Sequence, residues 1–261
     1  MGRITEAIKH LIIINAIFFA IPELMKTEVI QSVFNYFPLY FPENGNFGFW
    51  QYVSHMFMHG SFMHIAFNMY ALWAFGTPLE QMWGRNKFLF FYFSAGLGAG
   101  IIYTLVNYYQ FNVIYEGFIE NGVTDSQISK FFGITANTID GYISSTQSIL
   151  KGSTTLKFPV DIGDVIEINN LYNTPAVGAS GAVYGILVAF GMTFPNAKLA
   201  LIFFPVPIAA KYFIPVMLLG DVFFGVTKYS VGNVAHFAHI GGALIGFIIA
   251  WYWKKNQFRT H

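Results

Sequence analysis

The stretch that decides the fold is Val177–Phe194, VGASGAVYGILVAFGMTF, an apolar run in which Ser180 stands among small residues. Gly178, Ala179 and Gly181 leave the Ser180 hydroxyl unshielded and let neighbouring backbones approach, which suits an exposed nucleophile. Small residues along an apolar helix are also the usual packing surface of membrane helices, so the same stretch suits inert packing. A basic side chain elsewhere in the sequence, at the same depth in the membrane as Ser180, would favour the catalytic interpretation.

The composition is that of an integral membrane protein. Of the 261 residues, 55% are hydrophobic and 19% aromatic, whereas only 10% are charged, which lies outside the range of soluble domains. The net charge of +1 gives no basic field that would attract nucleic acid. Because the chain has no cysteine, a nucleophile must be a hydroxyl, an amine or a carboxylate, and thiolate metal sites are excluded.

Apolar stretches suggest six helices that cross the bilayer, each approaching or reaching the roughly 20 residues required. The fifth is too long for one straight helix and contains several prolines, so we expect an interfacial segment first and a short span over Tyr212–Phe224. The fold class expected is an all-α membrane protein built as a six-helix bundle. The stretches are Ile4–Leu24, His59–Trp83, Phe88–Tyr109, Val177–Phe194, Leu199–Phe224 and Val234–Trp253.

The positive charges orient this bundle. With both termini inside, nine lysines and arginines fall on the inner face and two in the shorter outer loops, as the positive-inside rule requires. We therefore expect both termini on the cytoplasmic side. The inner residues are Arg3, Lys9, Arg85, Lys87, Lys198, Lys211, Lys254, Lys255 and Arg259, and the outer ones are Lys26 and Lys228.

A polar insert, residues 110–176, separates the third and fourth predicted spans. It holds seven acidic residues against three lysines. Val123–Phe132 and Ile134–Leu150 have enough apolar residues for short amphipathic helices, so we expect an ordered extracytoplasmic cap. The whole chain, residues 1–261, is otherwise expected to form a single membrane domain.

Polar side chains within the predicted spans are costly in lipid and by default suggest function. His64 and Asn68 lie near the start of the second span, Ser180 near the start of the fourth, and His239 near the start of the sixth. These spans run from outside to inside, so Ser180 and His239 both fall within roughly 10 Å of the outer surface. Tyr184 lies four residues after Ser180, so its ring can pack against a histidine that engages Ser180.

Small residues favour a close approach of the fourth and sixth spans. Gly242 and Gly246 follow Ala238 at four-residue steps, which places all three on one face of the sixth helix. Such an approach would bring an imidazole and a hydroxyl within hydrogen-bond distance of each other.

Together these motifs resemble the rhomboid family of intramembrane serine proteases. The resemblance covers about residues 50–109 and 175–253 and leaves the insert out. It is carried by Gly178-Ala179-Ser180-Gly181 with Tyr184, by Ala238-His239 followed by Gly242 and Gly246, and by His64-x-x-x-Asn68 with Glu80 and Arg85 beyond it.

The resemblance implies a rhomboid-like bundle of the bacterial six-helix type, in a bacterial inner (plasma) membrane. Such an enzyme cleaves transmembrane segments of other membrane proteins near the outer face, with no cofactor and no metal. Ser180 is implied as the nucleophile and His239 as the base of a dyad, while His64, Asn68 and the Ser180 backbone form the oxyanion hole. The supporting residues are Gly178, Gly181, Tyr184 and Gly242.

Three sequence features need separate interpretation. Family members often carry Trp-Arg in the first outer loop, where this chain has Trp50-Gln51. Asp221 is the one acid of the fifth predicted span; we expect it to bond the loop Thr227–Asn233 rather than to complete a catalytic triad. Glu80 and Arg85, at the inner end, are interpreted as anchors at the membrane boundary.

A metal site and two other functions are the alternatives. Several histidines lie a few residues apart, but the step of five from His59 to His64 turns them away from each other on a helix, and no carboxylate lies nearby in sequence. A transporter or channel would line its path with intramembrane polar groups, although here they cluster near one face. An inactive rhomboid-like protein that only binds membrane proteins is the third possibility.

Overall fold

The computed structural model describes residues 3–201, 204–227 and 235–256. Lys228, Arg259, the loop 228–233 and the predicted start of the sixth span at Val234 lie outside these ranges. The described helices are α1 Glu6–Leu24, α2 Glu28–Phe34, α3 Gln51–Ser54, α4 Phe62–Trp83, α5 Arg85–Glu120, α6 Asp125–Phe131, α7 Ile139–Leu150, α8 Ile162–Asn173, α9 Ser180–Thr193, α10 Ala210–Val226 and α11 His236–Asn256, with a 3-10 turn at His55–Phe57 and strands β1 Lys198–Leu201 and β2 Phe204–Ala209.

Helices occupy the six stretches that the sequence predicts as spans. Three of them, α1, α5 and α11, are long and apolar enough to cross a membrane, and α9 is apolar but has only 14 residues. The chain is therefore an integral membrane protein, while the count of six spans remains a prediction. Helix α5 is longer than expected, with 36 residues.

The fifth predicted span begins with a β-hairpin. Strands β1 and β2 pair antiparallel, with Lys198 opposite Ala209 and Leu199 opposite Ile208, and α10 follows directly. The sequence of β2 contains two prolines, which lack the backbone N–H that a continuous helix needs. The observed break agrees with the expected division into a first segment and a short helix, whereas the β-hairpin was not expected.

The chain divides into two compact units. One consists of residues 1–39, 49–103 and 176–261, and the other of residues 40–48 and 104–175. The second unit contains α6, α7 and α8, of which α6 and α7 fall in the patches expected to be helical, and α8 was not expected. Its buried core comprises Phe41, Phe111, Phe118, Val123, Ile128, Phe131, Ile134, Val165 and Ile168. The expected arrangement of one membrane domain with an extracytoplasmic insert at 110–176 remains a prediction.

Helix α9 is the centre of the first unit. It packs against α4, α10 and α11, and most of its residues are buried, as expected for a helix that is apolar on all sides. A Cβ atom on Gly242 would collide with the carbonyl group of Gly181, and one on Gly246 would lie 2.5 Å from Cα of Gly185. The backbones of α9 and α11 are thus in direct contact, as the small residues predict.

Glu80 ties the end of α4 to the start of α1. Its buried carboxylate accepts hydrogen bonds from the backbone N–H groups of Ala7 and Ile8, at 2.9 and 3.1 Å, and from the Thr5 hydroxyl. The first N–H groups of a helix have no partner within that helix, so an acid from a neighbouring helix stabilises them. Glu80 therefore has a more specific role than an anchor at the membrane boundary.

Gly246→Ala is expected to lower the thermal unfolding midpoint in detergent by several degrees. The added methyl group meets the backbone of α9, and overpacking of this kind typically costs about 1–3 kcal/mol. Gly220→Ala is the matched control, because a Cβ there would meet no neighbouring element within 4 Å among the described residues, and alanine favours a helix. Equal midpoints for the two variants would contradict the direct contact between α9 and α11.

Candidate active site

Ser180 is the first residue of α9, and the turn before it is held by Gly178. The backbone of Gly178 has φ of +122°, a region that side-chain-bearing residues rarely adopt. Its N–H donates to the carbonyl oxygen of His55 at 2.9 Å. Because the first N–H groups of a helix lack an intrahelical acceptor, those at Ser180 and Gly181 are available to an anionic ligand.

His239 lies in the first turn of α11 and faces Ser180. Its Nε2 is 2.9 Å from the Ser180 hydroxyl oxygen. The ring of Tyr184 stacks on the imidazole, with centroids 4.1 Å apart and planes 12° apart, which is the packing that its spacing from Ser180 predicts. A hydroxyl and an imidazole that come from separate helices are thus in hydrogen-bond contact.

The other nitrogen of His239 contacts a buried acid. Nδ1 lies 3.0 Å from Oδ1 of Asp221, and Nδ1 of His236 lies 2.7 Å from the same oxygen. The hydroxyl of Tyr184 lies near the same carboxylate. The expectation that His239 lacks an orienting carboxylate is therefore wrong. The expected partner of Asp221, the loop Thr227–Asn233, lies outside the described residues after Thr227.

Helix α4 brings His64 next to Gly178. The helix begins after Ser61, whose hydroxyl accepts the His64 N–H at 3.2 Å, an ordinary N-terminal cap. A Cβ on Gly178 would lie 2.7 Å from Nε2 of His64 and 3.6 Å from the Ser180 oxygen, so both side chains adjoin one glycine. The Asn68 amide, one turn later, is buried and donates to the His64 carbonyl at 3.0 Å.

The two earlier histidines differ in their contacts. The His55 ring is buried and contacts the carbonyl of Gln51 through Nδ1 at 2.7 Å; burial lowers the pKa of His55 to about 4, so it is neutral near pH 7. His59 meets His64 edge to face, with centroids 5.0 Å apart. The expectation that His59 and His64 turn away from each other is wrong. His59 precedes the start of α4, so helical spacing does not apply to it.

Gln51 occupies the position where the family often has arginine. Its side chain is buried, and its amide donates to the carbonyl of Tyr36 at 3.1 Å. The neighbouring Trp50 indole donates to the same carbonyl at 2.9 Å. This pair therefore fastens the first loop without a charge.

Among the described residues, Asp221, His236 and His239 form the one group that could hold a metal. Their donor atoms lie within 4.8 Å of one another, and zinc accepts two histidines with a carboxylate. The nitrogen–oxygen distances of 2.7 and 3.0 Å are hydrogen-bond values, whereas ligands around a tetrahedral zinc lie more than about 3 Å apart. These distances therefore fit hydrogen bonds between the three side chains better than a shared metal ion.

Comparison with known proteins identifies the family. The model of the Rhomboid domain matches residues 46–117 and 131–256. The chain belongs to the rhomboid family. The match includes every residue of the site described above, and it extends through much of the second unit, which the resemblance in sequence motifs leaves out.

Named relatives come from mitochondria and from a bacterium. Mitochondrial Rhomboid protein 1 of Saccharomyces cerevisiae is 26% identical over 201 residues, covering 76% of this chain and 40% of that protein. The human mitochondrial presenilin-associated rhomboid-like protein is 26% identical over 215 residues, covering 77% and 38%. Rhomboid protease GluP of Bacillus subtilis is 38% identical over 52 residues, covering 20% and 10%. The chain thus spans about two fifths of the length of the first two relatives.

Gly178→Ala is expected to slow the reaction of Ser180 with a fluorophosphonate by about tenfold or more. The substitution strains the backbone and pushes a methyl group against His64, at a cost of about 1–3 kcal/mol. The rate is measured by following the fluorescent adduct on the purified protein. Gly60→Ala is the control, since a Cβ there has no atom within 4 Å; a wild-type rate for Gly178→Ala would contradict the geometry.

Proposed function

We propose that this rhomboid is an intramembrane serine endopeptidase that cleaves transmembrane segments of other membrane proteins near the outer face. The observation that carries the proposal is the contact of 2.9 Å between Nε2 of His239 and the hydroxyl of Ser180. The two residues are 59 positions apart and lie at the starts of two helices that touch through glycines. The printed name of the Bacillus subtilis relative, a rhomboid protease, supports the same reaction class.

The chemistry is acyl transfer to Ser180. His239 takes the hydroxyl proton on Nε2 while the serine oxygen attacks the carbonyl carbon of the scissile peptide bond. The same proton passes to the leaving amine as the carbon–nitrogen bond breaks, and an acyl-enzyme remains. Water then attacks the ester, again with His239 as the base, and releases the acid product with Ser180 regenerated.

The oxyanion of each tetrahedral intermediate forms beside Gly178. The Ser180 N–H and the helix dipole of α9 favour negative charge there. His64 adjoins the same glycine, and the amide of Asn68 follows one turn later on α4. We assign these three groups to the oxyanion hole, which leaves the Ser180–His239 pair free to transfer protons.

The topology proposed is six spans, with both termini on the positively charged side. In a bacterial plasma membrane this side is the cytoplasm, and the insert, residues 110–176, is then extracytoplasmic. The half-buried Ser180 and His239 sit at helix starts, so water reaches them from the outer face. Substrate helices enter from the bilayer and unwind locally, because a helical backbone has no free carbonyl to offer.

The transporter alternative fits the site less well. Ser180, His239 and His64 surround one point at the starts of α9, α11 and α4, whereas α9 continues inward with buried apolar side chains such as Ile186, Leu187 and Phe190. A permeation path needs polar groups along its length. An inactive binding protein would not need a serine in contact with a base.

Ser180→Ala and His239→Ala are each expected to abolish cleavage of a model transmembrane substrate in lipid vesicles. Each removes a reacting group but little packing surface, so the thermal unfolding midpoints should stay near the wild-type value. Product is measured on gels and by mass spectrometry. Cleavage by His239→Ala at a rate close to wild type would refute the assigned pair.

Asn68→Ala is expected to lower the cleavage rate by about 10²–10³-fold without abolishing it. One oxyanion donor is typically worth that much, and two other donors remain. The KM for substrate should change little, because the interaction belongs to the transition state. An unchanged rate would remove Asn68 from the oxyanion hole and leave it only the hydrogen bond to His64.

A further inference from the structure

The carboxylate of Asp221 contacts two histidines beside the proposed active site. It is buried, with 6% of the residue exposed. One of its oxygens contacts Nδ1 of both His236 and His239, and the hydroxyl of Tyr184 lies nearby. A buried carboxylate is costly unless it is paired in this way, so the contacts keep it ionised within a largely apolar bundle.

The two nitrogens of His239 fix the positions of its protons. Nε2 faces the Ser180 oxygen at 2.9 Å, so it must be unprotonated if it is to accept the hydroxyl proton. In the neutral imidazole the single proton then sits on Nδ1. At 3.0 Å, that N–H donates to Asp221, which can only accept when ionised. The carboxylate thus selects the tautomer that the base requires.

We propose that Asp221 is a positioning residue for the reaction assigned above, holding His239 in its reactive tautomer and stabilising the imidazolium that forms when Ser180 attacks. The active site is then a Ser180–His239–Asp221 triad with the acid supplied by α10. This inference rests on the proposed protease function and specifies how the base is oriented.

The charged and titratable groups around His239 support an electrostatic role. They are Asp221 from α10, His236 from α11, Ser180 and Tyr184 from α9, and His64 from α4. Among these groups Asp221 alone is an anion near pH 7. Its removal would therefore destabilise protonated His239, and reactivity that depends on neutral His239 would persist to lower pH.

A purely structural role is the competing account. Asp221 links α10 to α11 through hydrogen bonds to both histidines. On this account the three side chains serve only to hold the two helices together. His236→Phe distinguishes the two accounts. The substitution keeps an aromatic ring beside Phe224, whose ring centroid lies 5.9 Å from that of His236. It removes one of the hydrogen bonds between α10 and α11 but leaves the Asp221–His239 contact in place.

The experiment measures fluorophosphonate labelling of Ser180 from pH 4 to 9, with kcat and KM for a transmembrane substrate and the unfolding midpoint of each variant. For Asp221→Asn we expect kcat to fall by about 10²-fold or more with KM within about threefold. The pH midpoint of labelling should move down by about one unit or more, because a neighbouring opposite charge typically shifts such midpoints by 1–3 units. For His236→Phe we expect a labelling rate within about threefold of wild type and no downward shift.

Two results would overturn the triad. One is that Asp221→Asn keeps the wild-type pH midpoint of labelling and a kcat within about threefold of wild type. The other is that His236→Phe matches Asp221→Asn in both the labelling rate and the pH midpoint of labelling. If Asp221→Asn does not fold, Asp221→Glu retains the charge and should keep the wild-type midpoint, and a downward shift would contradict the proposal. Absence of labelling in the wild-type protein would instead refute the protease function itself.

Discussion

The backbone contact between α9 and α11 is the constraint on which the rest of the site depends. Gly181 and Gly185 on one helix meet Gly242 and Gly246 on the other, and a side chain at these crossings would separate the helices. Since Ser180 and His239 stand at the adjoining helix ends, their hydrogen bond exists only at this separation. Close packing through small residues usually stabilises membrane helices, and here it also sets the distance between the Ser180 hydroxyl and the His239 imidazole.

The polar groups of the site are arranged as a chain of hydrogen bonds from His236 through Asp221 and His239 to Ser180. In a medium of low dielectric constant each unpaired member would be costly, so completing the chain and folding the bundle favour each other. Each of the three helices α9, α10 and α11 contributes to this chain of hydrogen bonds. Helix α4 adds His64 beside Gly178, where negative charge is expected to develop.

Much of this arrangement could be predicted from local patterns. Small residues at four-residue steps predicted the contact of α9 with α11, and the spacing of Tyr184 from Ser180 predicted its stack on His239. The place of Asp221 could not be derived, because it depends on how the short helix α10 packs. The sequence did contain a signal for this contact, because His236 and His239 share a helical face and an acid stands in the preceding helix. His59 was misjudged because the cap at Ser61 starts α4 later than the apolar pattern suggests.

The central claim is that His239 activates Ser180 above every other serine of the chain. Peptide mapping by mass spectrometry after fluorophosphonate treatment of the purified protein in lipid tests it most directly. The account predicts a single adduct, on Ser180, approaching one per chain and absent from His239→Ala. An adduct on another serine, or equal labelling of wild type and His239→Ala, would contradict it.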